Sequence, residues 1–215
     1  MKTSVIHPST FKLDGGAMFG IIPKPMWEKK IKPDEFNRIL MSLRVVLFET
    51  KNKKILVDTG IGSYHSDKFK EQFAISESDF ALEKALKTKN ITPEDITDII
   101  LTHLHFDHVG GIGTKNGELV FKNATIHVHK KHLEYSQNAT LKDQGSFHTK
   151  HFLPLLDKYK ELGRLNLLDE LEGEILNDEN ESINFKASFG HTPYMIHPYN
   201  NEYIYMADLV PMRHH

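Results

Sequence analysis

The chain contains no cysteine among its 215 residues. That absence excludes a disulfide framework, a thiolate zinc site, a cysteine nucleophile and a thiolate-held iron–sulfur cluster. Charge of one sign is also lacking. With 27 Lys and Arg against 29 Asp and Glu, the formal net charge of −2 gives no basic field for nucleic acid or an anionic membrane. No apolar run approaches the roughly 18–20 residues that span a bilayer. The opening MKTSVIHPST lacks the apolar stretch of a secretory signal, so a cytoplasmic protein is expected. Fixed-period repeats and low-complexity linkers are missing too, and the length suits a single domain over residues 1–215. Apolar content of 39% and aromatic content of 10% are enough for a core. What is abundant is histidine, with fourteen copies. Histidine is the commonest metal ligand, so its clustering decides what the chain is for.

Strand and helix signals alternate. Residues 43–49 and 54–58 are apolar, β-branched runs on either side of a polar KNK turn, which predicts a hairpin. Residues 78–89 carry Phe80, Leu82 and Leu86 among good helix formers and predict an amphipathic helix. Thr92-Pro93-Glu94-Asp95 is a start signal for a short helix, with a threonine cap, proline and then carboxylates on the positive dipole end. Residues 99–101 read as a buried strand. Further strands are expected at 118–121, 124–128, 165–168, 182–188 and 203–206, with helices at 130–137 and 151–162. The mixture favours a layered α/β or α+β architecture.

The chemistry concentrates directly after the strand at 99–101. His103, His105, Asp107 and His108 fall within six residues and are followed by Gly110 and Gly111, which let the backbone turn tightly. In an extended segment His103 and His105 point the same way and can share one ion, while Asp107 and His108 lie past the bend and can face a second. Four ionisable groups so crowded need a cation to relieve them. Imidazole and carboxylate without sulfur suit zinc best, with iron or manganese as alternatives.

This H-x-H-x-D-H pattern resembles the signature of the metallo-β-lactamase superfamily, an αββα sandwich of two mixed sheets flanked by helices. Val57-Asp58-Thr59-Gly60-Ile61-Gly62 resembles the family's VDTGxG turn, Gly190-His191-Thr192-Pro193 its GHTP segment, and YIYMAD its strand ending in an aspartate. The resemblance runs from about residue 43 to residue 208. It implies a first metal on His103, His105 and His191, a second on Asp107 and His108, Asp208 as the bridge, and Asp58 orienting a ligand histidine. Two zinc ions would share a hydroxide that attacks an ester, lactone or phosphotriester, with Asp107 as proton shuttle. The substrate is therefore expected to be a small molecule. The lactonase-like and organophosphate-hydrolase-like branches fit the LDGGAMFG segment and the ADLVP ending. Thioester hydrolysis of the glyoxalase II kind, β-lactam hydrolysis and a non-catalytic metal-binding role are the alternatives. A homodimer stays open.

Two departures matter. Tyr194 and Met195 follow where the family usually has glycine, which makes the pocket wall more apolar. Only LVPMRHH follows Asp208, whereas the family takes one more histidine for its second metal from a later loop. The chain is thus expected to lack closing C-terminal elements; substitution by His214 or His215, or a tag remnant, are the other readings. The His127-x-His129-x-x-His132 spacing is expected to hold surface or packing histidines, since no carboxylate accompanies it. His148 and His151 either border the site's mouth or lie in an exposed loop. The glycine-rich 13–20 segment has no following GK[ST] and is not a phosphate loop; Met18, Phe19 and Trp27 wall a pocket or pack the core.

Overall fold

The computed structural model describes residues 1–76 and 80–215. The chain begins with strands β1 (Lys2–Ile6) and β2 (Thr10–Asp14), the short helices α1 (Gly15–Phe19) and α2 (Lys24–Trp27), and strands β3 (Arg38–Ser42), β4 (Val45–Glu49) and β5 (Lys54–Val57). Helices α3 (Asp67–Gln72) and α4 (Ala81–Lys87), strand β6 (Asp98–Ile100), helix α5 (Phe106–Val109) and strand β7 (Thr125–His129) follow. Next come α6 (Lys130–Gln137), α7 (Thr149–Glu161), β8 (Leu165–Leu168), β9 (Glu172–Asp178), β10 (Glu181–Ser188) and β11 (Met195–Tyr199).

The main sheet has the order β1-β4-β5-β6-β7-β8. Its first three strands pair antiparallel and the rest parallel. A smaller antiparallel sheet, β11-β10-β9, lies against it, and β2 and β3 pair separately. The strand periodicity of two explains the layering. Val45, Leu47, Leu56, Ile99, Ile126 and Val128 pack with Leu82 and Leu86 of α4 and Phe152, Leu155, Leu156 and Tyr159 of α7. Alternate residues Val46, Phe48, Ile55, Val57 and Ile100 face Ile175, Leu176, Ile183, Phe185 and Ile196 of the small sheet. Central strands apolar on both faces are what a sheet covered on both sides requires. The expected mixed α/β sandwich with helix-flanked sheets is therefore present.

The hairpin, the strands at β6, β7, β8 and β10, and helices α6 and α7 lie where the sequence predicts them. Residues 118–121 form no strand: Leu119 makes only an isolated bridge to Gly113, and Phe121 turns into the core. Residues 203–206 likewise keep a single bridge, between Ile204 and Tyr199. Phe80 does not join the helical face but precedes α4 in a left-handed conformation and is exposed. The expected helix start at Ser78 lies outside the described residues. Thr92 to Asp95 does form the predicted cap, on a single 3₁₀ turn.

A polar cluster around buried Asp98 joins β6, β7 and the residue just before β5. Asp98 accepts hydrogen bonds from Lys53 Nζ at 2.8 Å and His127 Nε2 at 2.9 Å. Burial pushes its pKa up, but the bonds from His127 and Lys53 outweigh this and bring it from 3.8 to about 2. Because the folded value is depressed, the stabilisation is full above about pH 4 and is lost as pH falls towards 2. Denaturant titrations should therefore show the wild type losing up to about 2 kcal/mol relative to Asp98→Asn across that interval. Parallel pH profiles for the two proteins would refute the assignment.

Candidate metal centre

Parallel strands β5, β6 and β7 finish at one edge of the main sheet, and every candidate ligand stems from the segments that leave that edge or from turns of the small sheet facing it. Asp58, just past β5, adopts the left-handed conformation at φ 62° while its N–H donates to Ile100 O at 2.9 Å. Asp tolerates that region better than most side chains. The two glycine-bearing turns then mesh backbone to backbone. A Cβ on Gly62 would fall 2.1 Å from Gly110 O, and one on Gly110 would fall 2.1 Å from Ile61 O. This close approach is why the DTGIG and DHVGG segments carry glycine where they meet.

His103, His105 and His191 come together, with ligand-type atoms all within 4.8 Å of one another. His103 and His105 are buried. Thr102 Oγ1 donates to Asp58, so His103 Nδ1, 2.9 Å from that oxygen, carries the proton and leaves Nε2 with a lone pair. That Nε2 is buried without a hydrogen-bond partner, as is Nε2 of His105, while His105 Nδ1 lies 3.0 Å from His191 Nε2. Burial, reinforced by the neighbouring histidines, holds His103 and His105 well below the usual imidazole pKa.

His108 and Asp208 form a second group with His103. His108 Nδ1 donates to Asp58 Oδ2 at 2.8 Å. Its Nε2 lies 3.4 Å from Asp208 Oδ1 and 3.7 Å from Asp107 Oδ2. Asp208 Oδ2 is 3.5 Å from His191 Nε2, so this carboxylate stands between the two groups. Burial opposes charge on His108, but Asp208, Asp107 and Asp58 outweigh it and raise its pKa well above the ordinary value. Burial pushes Asp107 up to about 6 against the pull of His108, with Asp208 adding to the rise. Asp208 is also penalised by burial, but His108 and His191 bring it down to about 2. Unpartnered imidazole nitrogens beside converging carboxylates are the donor set of a divalent cation site: zinc, iron and manganese all fit. The residues present therefore fit a metal.

All seven sequence-predicted residues thus meet at one place. His214 and His215 do not join them: His214 lines the adjoining cleft, and His215 stacks on Phe19 and bonds Met18 O. Phe19 and Trp27 pack in a small core, while Met18 lines the cleft. His127, His129 and His132 are buried, so the packing reading holds and the surface reading does not. A carboxylate does accompany them, since Asp98 bonds His127. His148 and His151 sit half-buried in a ring cluster, with Tyr64 bonded to the first and stacked on the second at 3.5 Å. Sequence reasoning misses Thr102; its hydroxyl, next to His103 at a strand exit, is the available signal.

The family model described as Metallo-beta-lactamase superfamily matches residues 44–213. The chain belongs to the metallo-beta-lactamase superfamily. Among curated relatives, an N-acyl homoserine lactonase of Bacillus cereus is 36% identical over 101 residues, covering 42% of this chain and 38% of the relative. The matched part is thus well under half of that relative's length. A probable metal-dependent hydrolase from Staphylococcus aureus superposes over 100% of this chain and 75% of its own, with TM-score 0.86 and 26% identity. AidC, a dizinc quorum-quenching lactonase in complex with a product, N-hexanoyl-L-homoserine, covers 94% of this chain and 68% of its own, with TM-score 0.67 and 25% identity. The similarities fit the lactonase-like branch of the superfamily.

Asp58 supports His108 directly and His103 through Thr102. An amide in place of this carboxylate would put a donor where one of these contacts needs an acceptor. In chelator competition, Asp58→Asn should bind zinc about 10–100-fold more weakly than wild type. Unchanged affinity would show that the carboxylate orients nothing.

Proposed function

We propose that this superfamily member is a zinc-dependent hydrolase that opens lactones or related esters, with residues 1–215 belonging to a single domain. The observation that carries the reading is the convergence of unpartnered His103 Nε2, the His105–His191 pair and the Asp107–His108–Asp208 group on one sheet edge. In this reading His103, His105 and His191 hold one ion and Asp107 and His108 the other. Asp208, within 3.5 Å of His191 and 3.4 Å of His108, reaches both. Two bound ions would supply Lewis acidity for a carbonyl and lower the pKa of water towards neutrality.

The remaining work falls to the chain. Asp107, largely buried but lining the cleft, is placed to accept the proton of the attacking water and return it to the departing oxygen. The cleft of about 620 Å³ is lined by Met18, Ile31, Leu40, Met41 and Leu43 and, among charged and metal-binding groups, by Asp107, His108, Asp208, Arg44 and Arg213. Such a shape holds an amphipathic molecule, with its apolar part along the wall and its reacting carbonyl at the carboxylates. The similarity to lactonases supports the lactone class among the esters.

Metal content and turnover on a panel of lactones, phosphotriesters and thioesters test the proposal together. Wild type should carry two zinc ions and prefer lactones, and His103→Ala and Asp208→Asn should each lose metal and at least ~10³-fold in kcat/KM. Full turnover by the metal-stripped protein would overturn the mechanism. Bound metal with no turnover on any ester would favour a binding role.

A further inference from the structure

The His127–His132 run supplies no residue to the proposed ligand set, yet each of its histidines is buried. Two of the three bond to groups that carry none of the proposed ligands. His127 pairs with Asp98 and Asn166. His129 caps α6 by accepting from Lys131 N, bonds Glu170 O, and stacks on Tyr194. His132 is different, because its two ring nitrogens reach the backbone of the two segments that carry His103, His105 and His191.

His132 Nε2 accepts from the backbone N–H of Leu104 at 2.9 Å, 28 residues away. An accepting Nε2 puts the proton of the neutral ring on Nδ1, which donates to Pro193 O at 2.7 Å, 61 residues away. Leu104 stands between His103 and His105, and Pro193 is two residues past His191. The ring is wholly shielded from solvent, at 0% exposure, and burial keeps it uncharged by lowering its pKa to about 4. Other side chains cannot copy this span easily. An amide offers donor and acceptor from the same end, whereas imidazole offers them from separate corners of one rigid ring. The turn it grips needs such a hold: Phe189 is exposed and Tyr194 is in the left-handed conformation at φ 59°. Two further ties help, the N–H of Ile196 to Thr102 O and the Thr192 hydroxyl to Asp143, both at 2.9 Å. Neither of these reaches the peptide between His103 and His105.

We propose that His132 is a positioning residue that clamps the loop bearing His103 and His105 to the turn bearing His191, presetting three imidazoles for one cation. The proposal rests on the metal-centre reading above. It makes His132 a determinant of metal affinity without contact to the metal, in the way that outer hydrogen bonds tune ligand sets.

Cobalt(II) is the probe, with the full chain in chelator competition and by its visible absorption. His132→Leu fills the space without either bond, and His132→Gln restores an acceptor for Leu104 N but no donor to Pro193 O. Tyr159→Phe is the control, since it strips a buried partner from Phe121 O away from the site. His132→Leu should bind the tighter cobalt about 10–100-fold more weakly with an altered spectrum, His132→Gln should fall between, and Tyr159→Phe should match wild type. Wild-type affinity and spectrum in His132→Leu would overturn the clamp, as would an equal loss in Tyr159→Phe. If His132→Leu does not fold, His132→Gln decides: weaker binding supports the clamp, and wild-type binding overturns it. Absence of cobalt binding by the wild-type chain would instead overturn the metal-centre reading, and this proposal with it.

Discussion

The buried carboxylate of Asp58 is the contact on which the site's geometry depends. It accepts from the Thr102 backbone and hydroxyl and from His108 Nδ1, which ties the ends of β5 and β6 to helix α5. A carboxylate withdrawn from water is costly unless its oxygens are all engaged, and here the partners are the very residues that must be oriented. The bond from His108, and the one relayed by Thr102 to His103, set the rings so that Nε2 of each turns towards the cluster. Stability of the buried charge and orientation of the site are one requirement, met by the same hydrogen bonds.

The sheet supplies the platform. Its central strands are apolar on both faces, gripped by helices on one side and the small sheet on the other, so the edge from which the site emerges has little freedom to shift. Onto that edge the glycine turns mesh at distances no side chain would allow. Residues brought from positions 58, 103–108, 191 and 208 can therefore meet with their spacing set by the backbone.

Legibility in the sequence followed the range of the forces involved. β4, β5 and β6 are readable because two-faced burial writes a continuous apolar run between polar turns. β2, β3 and β9 are not, since their mixed exposure leaves no clean alternation. β11 carries Pro198, which argues against a strand, yet β11 lies at an edge of its sheet, where proline is tolerated. In the site, His103, His105, Asp107 and His108 are local in sequence and announce themselves. His191 and Asp208 needed the family resemblance. Thr102 and His132 act through contacts that only the folded chain creates, so spacing alone made His132 look like a bystander.

The separate pairing of β2 with β3 has a consequence for how this protein can change. Leu40, Met41 and Leu13 of that strand pair line the cleft, but the pair shares no ladder with the sheet edge that holds the histidines and carboxylates. Wall and chemistry are thus built on different hydrogen-bonded units. Substitutions in the β2–β3 pair can reshape what fits the cleft while the reacting groups keep their places, so selectivity and reactivity are free to evolve at different rates.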